Sequence, residues 1–450
     1  MSKLMVSVSG VRGVIGETLT PSVIIRYISA FAQLINGKKI VIGSDSRVSR
    51  EIVKMLASST LMNYGYTVID LGIVPTPTVQ FLTEQLEADA GLVITASHNP
   101  LEWNGLKFID SNGLFLSPKK CEQLFKLADT GQFNYKGWDQ IGKLETYSEA
   151  ATDHINAILK LSLVDKKLIR SKEFKVVLDT VNGAGGRIMN QLLTELGCTI
   201  IHINAEETGM FAHTPEPIPE NLKDLAERVK NEAADFGIAV DPDVDRCVFI
   251  NEHGQAIGEE YTLAMAVKLV LSKKLGHVVK NMSSSRAIDD IAKYYNCLAY
   301  ETAVGEINVA NKMIEINAVI GGEGNGGVML PEIHIGRDAP VAAALALQFM
   351  AEMNKPLSEI KADLPHYEIC KLKAPIDTVD PDKVIDYFKT QYQKEKLNDT
   401  DGLKISTQDW WVHLRKSNTE PIIRVIAEAE NMEIAEKIAR QFMDEIKSLS

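Results

Sequence analysis

At 450 residues, with 45% hydrophobic and 24% charged side chains, the chain has the balance of a globular protein and the length for roughly two to four domains. A formal charge of −12 and a pI near 5.4 leave no basic stripe for a phosphate backbone, which argues against a nucleic-acid partner. The opening Met-Ser-Lys-Leu-Met-Val lacks the pattern of a secretory signal and no apolar run is long enough to span a bilayer, so the expectation is a cytoplasmic protein without membrane contact.

In chain order, the first three-quarters alternates short apolar strands with amphipathic helices, the pattern of α/β layers with mainly parallel sheets. Strands are predicted at 39–44, 67–71 and 90–94, with a helix at 51–64. A second cycle has strands at 174–179, 199–203 and 236–240, with a glycine-rich turn at 182–186 leading into a helix at 187–196. A third has strands at 277–281 and 318–321 around a helix at 287–295, and the three cycles suggest a weak internal repetition. After about Pro365 strands follow closely, at 371–376, 403–406, 411–414 and 422–427. A last helix has one apolar face, with Ile434, Ala435, Ile438, Ala439, Phe442 and Ile446 at helical spacing. The expected units are 1–150, 151–255, 256–365 and a smaller α+β unit at 366–450. Cys121, Cys198, Cys247, Cys297 and Cys370 are scattered without a C-x-x-C pair, which suggests neither a disulfide framework nor a cysteine-ligated metal.

Four segments carry chemistry. Thr95-Ala96-Ser97-His98-Asn99-Pro100 puts a hydroxyl nucleophile at the C-terminal end of an apolar strand, where open α/β sheets place their sites. A turn-capping serine is the other reading. Asp241-Pro242-Asp243-Val244-Asp245-Arg246 offers three alternating carboxylates, hard oxygen ligands suited to Mg²⁺, against the alternative of a solvated acidic loop. An EF-hand is excluded because Arg246 stands where the sharp turn needs glycine, and 247–250 reads as a strand.

Gly321 to Gly327 is glycine-rich, with Glu323 and Asn325 projecting groups that suit sugar hydroxyls; a flexible turn is the alternative. Arg415-Lys416-Ser417-Asn418-Thr419-Glu420-Pro421, with Arg424 nearby, has the makings of a phosphate clamp, since guanidinium forks match phosphate oxygens. Gly10-Val11-Arg12-Gly13 reads as a compact loop offering one guanidinium, and Asn104-Gly105-Leu106-Lys107 follows the serine segment.

In this order, and over essentially the whole chain, these segments resemble the α-D-phosphohexomutase superfamily of phosphoglucomutases, phosphomannomutases and phosphoglucosamine mutases. The resemblance implies three similar α/β domains and a smaller C-terminal domain around a central cleft. It makes Ser97 a phosphoserine that hands its phosphoryl group to a hexose phosphate through a 1,6-bisphosphorylated sugar, which turns around and returns the other phosphate. One Mg²⁺ would be held by Asp241, Asp243, Asp245 and an oxygen on Ser97. Arg246, Glu323 and Asn325 would bind the sugar phosphate, and Arg415, Ser417, Asn418, Thr419 and Arg424 the distal phosphate. Lys107, His98 and Arg12 match positions near the transferring proton, with Lys107 favoured as general acid and base.

The chain departs from the family pattern at Gly327, where many relatives have histidine, and at Asn325, where serine is commoner. His334 is close by, yet no motif match assigns it a role. The expected substrate is a hexose phosphate, glucosamine phosphate ahead of mannose or glucose phosphate, with a monomer or homodimer as the assembly. A metal-dependent sugar phosphatase and a non-catalytic sugar-phosphate sensor are the alternatives. Release of inorganic phosphate marks the first, and ligand binding without turnover the second.

Overall fold

The computed structural model describes residues 3–376, 380–416 and 422–449, which build four sheets. The first has seven strands in the order Met5–Ser7, Gly10–Val14, Trp103–Asp110, Ala90–Ile94, Lys39–Ser44, Thr67–Ile73 and Leu144–Thr146. The second runs Cys247–Asn251, Phe236–Val240, Lys175–Asp179, Thr199–Ile203, and the third Ala299–Thr302, Val278–Asn281, Ile320–Glu323, Gly327–Met329. The fourth is wholly antiparallel: Glu368–Pro375, Ile422–Ala429, Trp411–Lys416, Leu403–Ser406, Lys396–Asn398.

The repetition suggested by the sequence is a shared topology. In each of the first three sheets a central strand pairs in parallel with the strand that follows it on one side and with a third strand on the other. A fourth strand then returns antiparallel to the third. The turn between third and fourth strands is the serine segment in the first unit, the Asp241–Arg246 segment in the second and the glycine-rich segment in the third. Three chemistry-bearing loops thus occupy one topological position in three copies of a motif.

Residues 10–13, expected as a loop, belong instead to the strand Gly10–Val14, antiparallel to Trp103–Asp110. Glycine permits the contact: a β-carbon on Gly10, at φ +101°, would lie 2.1 Å from the carbonyl oxygen of Leu106.

The units are joined by an apolar core that runs across the first three. At its centre is helix Ala339–Met353, capped by the Asp338 side chain accepting from the N–H of Val341, with proline in its first turn. Val341, Leu345, Leu347 and Phe349 are buried, each contributing about 1.5–3 kcal/mol of apolar burial. The helix is apolar on nearly every face because it packs against helices Glu260–Lys273, Lys166–Arg170, Ala150–Leu159 and Gly185–Glu195. The fourth unit has its own core, where Ala435, Ala439, Phe442 and Ile446 of helix Met432–Ser448 lie against its sheet.

Candidate active site

The serine segment begins where strand Ala90–Ile94 ends. Thr95 Oγ1 donates to Asp45 Oδ2 at 2.6 Å and accepts the N–H of Ser97 at 2.8 Å. Ser97 has φ +52°, a left-handed conformation that costs a non-glycine residue on the order of 1–3 kcal/mol. Arg47, fully buried, holds the loop in this shape. Its Nη1 donates to the carbonyls of Pro100 and Trp103 at 2.6 and 2.9 Å, and its Nη2 to those of Ser97 and Asn99 at 2.7 and 2.6 Å. Its Nε pairs with Asp45 at 3.1 Å. Sequence reading missed Asp45 and Arg47. Their signal was a charged Asp-Ser-Arg run directly after an apolar strand, on the sheet edge where function gathers.

The acidic segment arrives from the second unit. Asp241, Asp243 and Asp245 are fully buried and each offers an oxygen within 4.8 Å of the others. Asp241 Oδ1 accepts the N–H groups of Asp245 and Arg246, both at 3.1 Å, so the loop wraps its first carboxylate. Val244 takes φ +59° between the other two, an unusual conformation for a β-branched residue. Thr76 of the first unit fixes the loop, its hydroxyl donating to Asp243 Oδ2 at 2.6 Å and its N–H to the Asp243 carbonyl at 2.9 Å.

These bonds bring nucleophile and acids together: Ser97 Oγ lies 3.3 Å from Asp241 Oδ2 and 3.3 Å from His98 Nδ1. Burial, with Asp245 and Asp243 alongside, holds the Asp241 carboxyl well above the usual carboxylate range. For Asp243 burial pushes the same way, but Lys107 and Thr76 outweigh it and keep the carboxyl far below that range. Asp243 Oδ1 and Asp245 Oδ1 are buried without a hydrogen-bond partner. Unpaired buried carboxylate oxygens facing a cluster of like charge are the donor set of a hard divalent cation, and the residues present fit one.

Lys107 sits on strand Trp103–Asp110, 3% exposed, with Nζ 2.6 Å from Asp243 Oδ2 and 3.6 Å from Asp245 Oδ2. Arg12 Nη1 donates to Asn99 Oδ1 at 3.1 Å, and burial lowers its pKa despite Asp243 and Asp245. His98 is pushed down to about 2 by burial and by Arg246 and Arg12, so it is a neutral imidazole at neutral pH. Arg246 Nη1 is 3.4 Å from Glu216 Oε1 and its Nε 3.8 Å from Asp245 Oδ1.

The glycine-rich segment closes on the acidic one. The carbonyl of Gly326 accepts the N–H of Cys247 at 3.0 Å, and a β-carbon on Gly326, at φ +88°, would come within 2.6 Å of the Cys247 carbonyl oxygen. Glu323 Oε1 accepts from Asn281 Nδ2 at 2.8 Å and from the N–H of Gly305 at 2.9 Å. Burial raises its carboxyl, but Arg337 and those two donors bring it below its ordinary value. Asn325 is half-buried, with Oδ1 unpartnered.

Arg337, which sequence reading did not single out, ties the two segments. Its Nη2 is 2.6 Å from Asp245, its Nη1 3.1 Å from Glu323 and its Nε 3.0 Å from Glu306. It lies in a loop with no motif, and contact alone reveals it.

The fourth unit is different. Arg415 Nε lies 2.9 Å from Asp401 Oδ2. Arg424 is exposed on the neighbouring strand, in register with Arg415. Ser417, Asn418 and Thr419 lie outside the described residues. The structure thus gathers Ser97, His98, Arg12, Lys107, the three aspartates, Arg246 and Glu323 around one centre, with Asn325 on the adjoining turn. Among the described residues it gives Arg415 and Arg424 no contact with that centre.

Sequence profiles described as phosphoglucomutase/phosphomannomutase α/β/α domains I, II and III match residues 3–135, 152–254 and 258–367, and the C-terminal domain profile matches 371–445. The chain belongs to the phosphoglucomutase/phosphomannomutase family. A phosphoglucomutase/phosphomannomutase of Thermococcus kodakarensis is 38% identical, covering 97% of this chain and 96% of its own. A probable phosphoglucosamine mutase of Methanopyrus kandleri is 35% identical over 98% and 97% of the two chains. The crystal structure of a phosphoglucomutase/phosphomannomutase family protein from Burkholderia thailandensis superposes with a TM-score of 0.86 at 25% identity, covering 98% of each chain. As a member of this family the protein is an isomerase, a phosphohexomutase. No helix among the described residues is long and apolar enough to cross a membrane.

Proposed function

We propose that this phosphohexomutase works through phosphorylated Ser97 and interconverts the 1- and 6-phosphates of a hexose, glucosamine phosphate being the preferred substrate. The observation that carries the reading is the 3.3 Å approach of a strained, buried Ser97 Oγ to Asp241 within a carboxylate triad. Such a pairing of nucleophile and acidic triad serves phosphoryl transfer, in which positioning and charge compensation dominate. Mg²⁺ bound by Asp241, Asp243, Asp245 and a phosphoserine oxygen would offset charge on the transferring group.

In the forward step a sugar hydroxyl attacks phosphoserine and gives its proton to a base, the bond between Ser97 Oγ and phosphorus breaks, and the departing Ser97 Oγ takes up a proton to restore the serine hydroxyl, so that the proton lost by the sugar is balanced by the one gained by serine. Lys107 is the proposed base, and it returns the proton in the reverse step. Arg12 and Arg246 supply positive charge to the phosphoryl oxygens, and neutral His98 adds a ring nitrogen 3.3 Å from Oγ. Glu323, ionised and fixed by three partners, accepts from ring hydroxyls, with Asn325 beside it. Arg415, Ser417, Asn418, Thr419 and Arg424 hold the phosphate that is not reacting. The 1,6-bisphosphate is both intermediate and activator, since it reloads Ser97.

The preference for glucosamine phosphate is supported by the name of the Methanopyrus relative, while the Thermococcus relative is named for glucose and mannose phosphates. A panel of glucosamine, glucose and mannose phosphates tests it, read by isomer formed and inorganic phosphate released. Isomer without phosphate release, fastest with glucosamine phosphate, is expected. Phosphate release in step with consumption would make the protein a phosphatase.

A further inference from the structure

Asp401 stands in the turn between strands Lys396–Asn398 and Leu403–Ser406 of the fourth unit, and the chemistry above gives it no part. Its Oδ2 meets two groups from different units. It lies 2.9 Å from Arg415 Nε, on strand Trp411–Lys416 of its own unit, and it accepts the N–H of Val304, in the third unit, at 3.1 Å. The next N–H along the chain, that of Gly305, goes to Glu323 Oε1 at 2.9 Å. Two consecutive amides therefore bind two carboxylates, one paired with the arginine of the phosphate clamp and the other placed to receive the ring hydroxyls.

The backbone around Asp401 is fixed from two sides. Its carbonyl lies 2.6 Å from His413 Nε2, and His413 Nδ1 lies 2.9 Å from Ser283 Oγ of the third unit. Burial pushes His413 down to about 4, so the ring is neutral at neutral pH. A carbonyl only accepts, so Nε2 donates to Asp401 and Nδ1 accepts from the Ser283 hydroxyl. The turn also presses on the strand that carries Arg415: a β-carbon on Gly402, at φ +70°, would lie 2.2 Å from the carbonyl oxygen of Leu414 and 3.2 Å from Arg415 Cα. The charges fit an anion site. Arg415 and Arg424 lie directly opposite each other on neighbouring strands, where like charges repel. Asp401 offsets part of that repulsion, and two guanidiniums against one carboxylate keep a net positive charge for a phosphate. A carboxylate on Nε also leaves the Nη1–Nη2 edge of the fork, which matches two phosphate oxygens.

We infer that Asp401 is a positioning residue for the mutase reaction: it aims the Arg415 guanidinium at the phosphate that is not reacting and ties that guanidinium to the turn that holds Glu323. The inference rests on the reading of Arg415 as part of the phosphate clamp. Through Asp401 and the amides of Val304 and Gly305, the group that binds the distal phosphate and the group that binds the ring are held at one spacing, which orients the sugar hydroxyl toward Ser97.

The test measures mutase kinetics of the full-length protein with Mg²⁺ and either glucosamine 6-phosphate or glucose 6-phosphate, and melting temperatures establish that each variant folds. Asp401→Asn keeps an oxygen for the Val304 N–H but no charge for Arg415, so KM rises about 10-fold with kcat little changed, the mark of binding lost equally from ground and transition states. Asp401→Glu restores the charge and recovers most of that loss. In an Arg415→Ala background Asp401→Asn adds no further rise, because both act through one contact. Asp401→Ala, which frees Val304 as well, lowers kcat below that of Asp401→Asn. If Arg415→Ala raises KM while folded Asp401→Asn leaves it unchanged, or lowers it because the carboxylate competes with phosphate, the proposal fails and the clamp stands. Equal kcat in Asp401→Ala and Asp401→Asn overturns the tie to Glu323, and an Arg415→Ala variant with the wild-type KM overturns the clamp reading itself.

Discussion

Arg337 occupies the space that a side chain at Gly327 would fill: a β-carbon on that glycine would sit 2.4 Å from Arg337 Cδ and 2.9 Å from its Cγ. The missing side chain lets one guanidinium reach Asp245, Glu306 and Glu323. Gly327→His therefore evicts Arg337 and strands three buried carboxylates, at a cost of roughly 3–5 kcal/mol, the usual result of removing one partner from a buried pair. Arg337→Met costs a similar amount. Denaturant melts of both single variants and the double variant check this, because effects through one shared contact do not add. A double variant that loses the full sum would show the two positions to be independent.

Lys107 has two roles, and they pull metal binding and turnover in opposite directions. As proposed base it is worth about 10²–10⁴-fold in kcat, so Lys107→Met falls by that factor with KM little changed. With Nζ 2.6 Å from Asp243 Oδ2 it competes with a bound ion for the same carboxylate. Lys107→Met therefore binds Mg²⁺ more tightly while turning over more slowly. Calorimetric Mg²⁺ titration beside steady-state kinetics reads both, and weaker Mg²⁺ binding would contradict the geometry.

Arg47 binds four carbonyls of the serine loop and the buried Asp45 carboxylate. Arg47→Ala leaves Asp45 uncompensated and releases Ser97 from its left-handed conformation. The expected loss is about 3–5 kcal/mol of stability, seen as a lower denaturation midpoint. Arg47→Lys keeps the charge but not the fork, so it regains stability more fully than turnover.

Glu260 packs against the glycine-rich segment, where a β-carbon on Gly324 would collide with its carboxylate, and it accepts the N–H of Ser285 at 2.9 Å. Burial pushes its carboxyl up to about 8 from an ordinary value of 4.5, so the folded state holds a proton that the unfolded state has lost between those values. The stability this proton confers is complete below about pH 4.5 and is lost as the pH rises through about 8. Glu260→Gln removes that slope. Thermal melts from pH 5 to 8 on wild type and variant, with other titrations common to both, measure the difference as roughly a few kcal/mol at most.

The sequence disclosed the loops that carry chemistry as continuous runs, because phosphoryl transfer needs a hydroxyl, acids and glycines close together on turns after apolar strands. Ser97 and the Asp241–Asp245 aspartates are of this kind. Arg337 and Glu306 were hidden because each reaches the site from a segment with no periodic or compositional mark, whereas Arg47 stood in a charged run after an apolar strand, a signal too short to distinguish it from an ordinary turn. The shared topology of the three sheets was faintly visible, since strand order depends on pairing between distant segments. Residues 10–13 read as a loop because glycine lowers strand propensity, yet pairing with Trp103–Asp110 requires glycine there. Helix Ala339–Met353, buried on nearly all sides, has no polar face for a periodicity argument to find.

The proposed chemistry turns on Ser97 carrying the phosphoryl group. Its most direct measurement is peptide mass spectrometry after incubation with a hexose 1,6-bisphosphate and Mg²⁺, run beside mutase turnover for wild type and Ser97→Ala. Phosphate is expected on the peptide containing Ser97 in the wild type, and neither label nor turnover in the alanine variant. Undiminished turnover by Ser97→Ala, or stoichiometric label on another residue, would contradict it.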